Sequence, residues 1–203
     1  MQTHQITTYS INELSPEAKA KAIEKHRDTN VFYGWWTFTF EQFPEEHDCL
    51  GLDISDIQFS GFWSQGDGAS FEYSTTAEDW QRWLSEQPNT LRNKAVAKTM
   101  LVTVTGSRKS YPHYVHENMI VPDYELDETG EVDMSDYDNI WEYAETLASD
   151  YMEDVHERAR DLMRQLYRML EEEYNYLTSD EAVVETLEAN DYQFTKKGKT
   201  YNF

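Results

Sequence analysis

The chain is short of cysteine, of positive charge and of long apolar runs, and each shortage excludes something. Cys49 is the only cysteine, which excludes an intramolecular disulfide framework and a zinc site built on several thiolates. No apolar run approaches the ~20 residues of a bilayer-spanning helix, and the N-terminus lacks the apolar core of a signal peptide. The expected location is the cytosol, including that of an infected cell, with no membrane partner. Lys and Arg number 17 against 39 Asp and Glu, a formal net charge of −22. Direct contact with nucleic acid or an anionic membrane, which needs cations to displace counterions, is not expected. Aromatic residues, by contrast, are plentiful. The 203 residues include 14 Tyr, 9 Phe and 6 Trp, enough large side chains for a packed core that a disordered chain of this charge would lack.

The negative charge is segregated. Between Lys109 and Arg158 there is no lysine or arginine, while fifteen Asp and Glu fall in the interval. A block of one sign either stays solvated or presents a field to a cationic partner. This block also carries Tyr137, Ile140, Trp141 and Tyr143, so it is not a featureless tail. Its candidate partner-binding carboxylates are Asp123, Glu125, Asp127, Glu128, Glu131, Asp133, Asp136, Asp138, Glu142 and Glu145. Plain solubility is the other reading of the same charge.

Local signals divide the chain into helices and strands without regular alternation, which predicts an α+β fold with an antiparallel sheet in a single domain over residues 1–203. Ser15-Pro16-Glu17 reads as an N-cap, an N1 proline and an acidic first turn, opening a helix to about Arg27. A second helix is expected from about Gly34, interrupted near Pro44 and ending before Gly51. Ile57 to Trp63 reads as a strand, Ser64 to Gly68 as a turn, and Ala69 to Tyr73 as the returning strand. Thr76 to Asp79 has capping-box spacing ahead of Trp80, Trp83 and Leu84, and a short helix is expected over Asn89 to Lys98. Met100 to Thr105 alternates as a strand, continued in antiparallel fashion by Tyr111 to His116 and Met119 to Leu126, with Asp127 to Asp136 as a loop. Ser135 to Asp138 forms another capping box. From there an apolar row runs Ile140, Ala144, Leu147, Tyr151, Val155, Ala159, Leu162, Leu166, Leu170 and Tyr174 in steps of three or four. The helix it predicts, ending near Tyr176, is ~55–60 Å long. Thr178 to Glu181 caps a short last helix, and a terminal hairpin is expected around Lys196-Lys197-Gly198-Lys199.

The most specific local string is Phe59-Ser60-Gly61-Phe62-Trp63-Ser64-Gln65-Gly66-Asp67-Gly68-Ala69-Ser70-Phe71. Glycines permit positive φ and close backbone approach. Trp63 offers a stacking face, and Ser64, Gln65 and Asp67 place polar groups at the turn. The string supports either a structural hairpin, in which Asp67 bonds nearby amides, or a ligand loop to which His116 contributes. It resembles a family of bacteriophage proteins carrying FSGFWSQGDGASF, some labelled loosely as antitoxin-like. The resemblance extends to Leu14–Lys19, Tyr114–Met119, Glu173–Ala182 and Asn190–Thr195, and implies a phage origin. It carries over no catalytic residue, and the acidic middle segment matches no family pattern.

Other constellations are weaker. His113 and His116 would point to opposite faces of a strand and lack the helical spacing of a zinc protease. His47-Asp48-Cys49 places three ligand types in a row, but adjacent residues rarely converge on one ion. Asp123 to Glu128 lacks the spacing and the glycine of an EF-hand. No metal or cofactor is expected. Arg160, Arg164 and Arg168 lie four apart and suggest an anion stripe, or intrahelical pairs through Asp154–Arg158, Glu157–Arg160 and Arg168–Glu172. No Ser-His-Asp, Cys-His or Walker-type arrangement is recognisable. The expectation is therefore a non-enzymatic phage protein acting by binding, its carboxylates occupying the basic nucleic-acid groove of a host protein such as a restriction or CRISPR effector. The alternative is a small-molecule or nucleotide binder using Trp63, Ser64, Gln65, Asp67 and His116, and a hydrolase acting through His116 is a third reading. The aromatic cluster around Trp35 and Trp36 is a candidate homodimer interface.

Overall fold

Three helix starts that the sequence marks with a side-chain cap, at Ser15, Thr76 and Ser179, are realised by that cap. The computed structural model describes residues 6–47, 51–88, 90–109, 114–129 and 139–201. Helix α1 (Pro16–Lys25) begins where Ser15 Oγ accepts the Ala18 amide at 3.4 Å. It follows a 3₁₀ turn over Ile11–Glu13 and precedes α2 (Thr37–His47). Two strands, β1 (Asp53–Phe59) and β2 (Ala69–Ser74), come next. Helix α3 (Ala77–Glu86) opens on the reciprocal box between Thr76 and Asp79, and α4 (Leu91–Thr99) on Thr90 Oγ1, which accepts the Asn93 amide. Strands β3 (Met100–Arg108) and β4 (Ile120–Glu128) are separated by a 3₁₀ turn over Glu117–Met119. The chain then forms α5 (Ile140–Leu177) and α6 (Asp180–Ala189), the latter capped by Ser179. Among the described residues this makes six helices and one four-stranded antiparallel sheet, an α+β fold.

Three sequence expectations shift. Pro44 does not interrupt its helix; it lies within α2, which forgoes the amide bond to the Phe40 carbonyl and continues three residues further. The strand expected over Ile57 to Trp63 starts earlier, at Asp53, and stops at Phe59, because Gly61 takes φ +115° and turns the chain out of the ladder. The strand expected to end at His116 does not include residues 114–119: His116 instead caps the turn Glu117–Met119, and pairing with β3 begins at Ile120. Residues 111–113 and the Ser135–Asp138 box lie outside the described residues.

The chain comprises two compact units. One contains residues 39–169. Its sheet runs β1-β2-β3-β4, with β3 and β4 paired over nine residues from Met100↔Glu128 to Arg108↔Ile120. Alternation along β3 buries Met100, Val102, Val104 and Gly106 on one face; β3 meets α3 and α4, and Tyr73 of β2 meets His156 of α5. Trp80 and Trp83 stack at 5.5 Å, with Tyr151 of α5 at 5.2 and 5.3 Å from the two rings. The Trp80 indole donates to the Met100 carbonyl, and the Trp83 indole to Asp154. A Cβ at Gly106 would lie 2.1 Å from the Tyr73 ring, so that glycine is what lets the ring pack across β3.

The other unit contains residues 1–38 and 170–203. Ile11, Leu14, Ala18, Ala22, Ile23, Val183, Leu187 and Phe194 form its core. The predicted terminal pairing takes the form of single bridges from Phe194 to Tyr9 and to Thr200, reinforced by the Tyr201 amide donating to Gln193. Residues 202 and 203 lie outside the described part.

Candidate partner-binding surface and glycine-rich turn

The acidic block separates into two rows. On β4 the burial pattern alternates, and Asp123, Glu125 and Asp127 point outward, away from the apolar face that the helices cover, followed by exposed Glu128. Their cross-strand neighbours on β3 are Thr105, Thr103 and Leu101, so no like charge stands opposite them. Successive outward carboxylates are ~6.8 Å apart along the strand. Because β4 is an edge strand, these charges and Pro122 also discourage pairing with another chain.

The second row is on α5. Glu142, Glu145, Asp150, Glu153, Glu157 and Asp161 are all exposed and lie away from the apolar row, with Asp150, Glu153, Glu157 and Asp161 sharing one face and Glu142 and Glu145 on an adjoining flank. At 1.5 Å per residue they extend over ~29 Å of straight helix. The two rows face opposite sides of the sheet–helix layer and do not form one continuous surface. Among the described residues, no ion pair engages Asp123, Glu125, Asp127, Glu128, Glu142, Glu145, Asp150, Glu153 or Glu157; Asp161 pairs with Arg164. Glu131, Asp133, Asp136 and Asp138 lie outside the described residues.

Local structure explains only part of this charge. The helix dipole favours acids in the first turn, which covers Glu142. Glu153, Glu157 and Asp161 lie well past that turn, at i, i+4 spacing, where each like-charge pair destabilises a helix by ~0.2–0.5 kcal/mol. Asp150, Glu153, Glu157 and Asp161 were not among the expected site residues. The signal for them is that repeated like-charge spacing on the face opposite the apolar row.

At the glycine-rich turn, Asp67 Oδ2 accepts the Ser64 amide at 2.6 Å, and the Asp67 amide donates back to the Ser64 carbonyl at 3.0 Å. Gly66 has φ +90°, and a Cβ there would meet the Tyr114 ring. A Cβ on Gly68 would lie 2.7 Å from the His116 Cα. The turn and the segment before β4 are thus brought together, as a site containing Trp63, Ser64, Gln65, Asp67 and His116 requires. Two of those side chains are engaged locally: Asp67 closes its own turn, and His116 Nδ1 accepts the Asn118 amide at 3.2 Å. Trp63, at 74% exposure, and Ser64 and Gln65 face solvent.

Several polar contacts are invisible in the sequence. Arg160 donates to Asn118 Oδ1 at 2.7 Å, and Arg164 pairs with Glu117 and Asp161. The expected intrahelical pairing of Arg160 with Glu157 is thus replaced by a tertiary bond, and Asp154 accepts from Trp83. The Tyr73 hydroxyl and His156 Nδ1 lie 2.9 Å apart. Burial pushes the Tyr73 hydroxyl up and the His156 imidazole down, the latter helped by the Arg160 charge; the two groups share one hydrogen bond between neutral partners at neutral pH. Arg108 reaches across the sheet from β3 to Ser70 Oγ and the Asp56 carbonyl. It thereby holds the β1 bulge, at which Asp56 takes φ +43°.

Among the described residues, no group of three or more His, Cys, Asp and Glu is placed to hold a metal, and no helix is long and apolar enough to cross a membrane. The His47-Asp48-Cys49 side chains and His113 lie outside the described residues. A family model for a domain of unknown function (DUF8835) matches residues 35–180. No curated protein and no solved structure matches the chain.

Proposed function

The chain belongs to the family described as a domain of unknown function (DUF8835), and we propose that it is a phage-encoded, non-enzymatic binding protein that occludes the basic nucleic-acid groove of a host defence protein. The observation that carries this reading is the exposed carboxylate series on α5, in which Asp150, Glu153, Glu157 and Asp161 share one face of a continuous helix and Glu142 and Glu145 precede them on an adjoining flank. From Asp150 to Asp161 the helix presents them about once per turn, ~4.5–6 Å apart along its axis, a linear array of negative charge like the phosphates of a nucleic-acid strand. Their repulsion opposes helix formation instead of supporting it. The β4 row is shorter and faces the other side of the layer, so it serves as a separate contact or as edge protection.

Binding of this kind is strengthened by electrostatic complementarity and weakened by salt. The test immobilises the intact protein and its Glu142→Gln/Glu145→Gln/Glu153→Gln/Glu157→Gln variant, and exposes both to host extract at low and high salt. A basic, nucleic-acid-binding protein should be retained by the wild type, released by salt and absent from the variant. Failure to recover such a partner, or retention indifferent to salt, would refute the proposal.

A further inference from the structure

We propose that the groove between α1 and α6 is a docking site for a basic amphipathic helix of a protein partner. It has a volume of about 630 Å³ and is open to solvent along its length. This shape suits the side chains of a partner laid across it better than it suits an enclosed small molecule. Pro16, Ala20, Ile23 and Val184 supply an apolar floor. The rim is acidic: Glu181, Glu185 and Glu188 line the groove and, at i, i+4 and i+7, share one face of α6.

The rim charge is not spent internally. Among the described residues no ion pair engages Glu181, Glu185 or Glu188, while neighbouring Asp180 pairs with Arg27 at 2.5 Å. Lys19, the cation lining the groove, donates to Asn12 Oδ1 at 2.7 Å. The dipole favours Glu181 in the first turn, but the helix does not require the other two. Glu181–Glu185 and Glu185–Glu188 are like-charge neighbours, and Glu188 stands in the last turn, where the dipole disfavours an anion. An apolar floor flanked by carboxylates without ionic partners is complementary to a helix with two or three apolar anchors at i, i+3/i+4 spacing and Lys or Arg beside them. This site is independent of the α5 row.

The probe is a fluorescein-labelled helical peptide of Leu and Lys with helical apolar spacing, compared by anisotropy with a permuted peptide of identical composition that lacks the spacing. The intact protein should bind the amphipathic peptide at least roughly tenfold more tightly than the permuted one. Ala20→Arg, at an exposed helical position, fills the groove and should weaken binding by about tenfold or more, as should Glu181→Gln/Glu185→Gln/Glu188→Gln. Glu153→Gln/Glu157→Gln on α5 should leave it unchanged, so this result stands or falls separately from the proposed function. Circular dichroism verifies folding of each variant, and the rim variant decides the matter if Ala20→Arg does not fold. Equal binding of the two peptides overturns the proposal, as does loss of binding in the α5 variant alone. So does a wild type that self-associates in light scattering and is made monomeric by Ala20→Arg, since the occupant would then be a second copy.

Discussion

Replacing Glu153 and Glu157 together by glutamine should make the protein more stable while weakening its binding. The two carboxylates take part in four like-charge neighbour pairs on α5, with Asp150, Asp154, Asp161 and each other. Each such pair destabilises a helix by ~0.2–0.5 kcal/mol. One neighbour, Asp161, is partly neutralised already by Arg164, and Asp154 is turned toward the Trp83 indole. The expected net gain is therefore about 1 kcal/mol at low ionic strength, with helix propensity nearly unchanged because Glu and Gln are close in rank. For a chain of this size, that raises the melting temperature by ~2–4 °C. Urea denaturation at low salt measures it directly. Near 1 M salt, where the Debye length falls to ~3 Å, the gain should vanish. A variant less stable than wild type by more than about 0.5 kcal/mol would refute the reasoning, because it would mean that these side chains have stabilising partners inside the protein.

Three further outcomes follow from the packing. Gly106→Ala places a methyl 2.1 Å from the Tyr73 ring and should destabilise by ~1–3 kcal/mol in urea melts; a double-mutant cycle with Tyr73→Leu should show strong non-additivity. Asp67→Ala removes the acceptor of the Ser64 amide and should cost about 1 kcal/mol. Hydrogen exchange should rise at residues 60–68 and not in β3, and exchange rising equally everywhere would contradict a local role. His26 and His156 both have imidazole pKa values lowered, chiefly by burial, so the unfolded chain binds more protons than the folded one between the folded values and ~6.5. Stability should be full above that unfolded value and fall as pH drops through the window, and His156→Gln should flatten part of the slope.

The parts of the fold that were legible from sequence are those set by local chemistry. Ser15, Thr76 and Ser179 cap the helices they announce because an N-cap needs only its own side chain and an amide three residues on. The apolar row of α5 gave its extent to within a residue at the C-terminal end. What escaped was set by distant partners. His116 caps a turn instead of continuing a strand because Gly68 packs on its backbone. Arg160 reaches Asn118, 42 residues away, in preference to the glutamate one turn before it. The candidate carboxylates could be listed from composition, but their separation into two opposed rows depends on which face of the sheet the helices cover, and the pattern of one strand does not specify that. The α1–α6 groove could not be read at all, since its halves are some 160 residues apart in sequence.

The most direct measurement is a competition. With the partner recovered on the immobilised protein, labelled duplex DNA is titrated against the intact protein and against Glu142→Gln/Glu145→Gln/Glu153→Gln/Glu157→Gln. If the α5 row occupies a nucleic-acid groove, the wild type should displace the DNA competitively and less effectively as salt rises, and the variant should fail to displace it. A ternary complex holding partner, DNA and protein together, or a variant that competes as well as the wild type, would contradict the proposal.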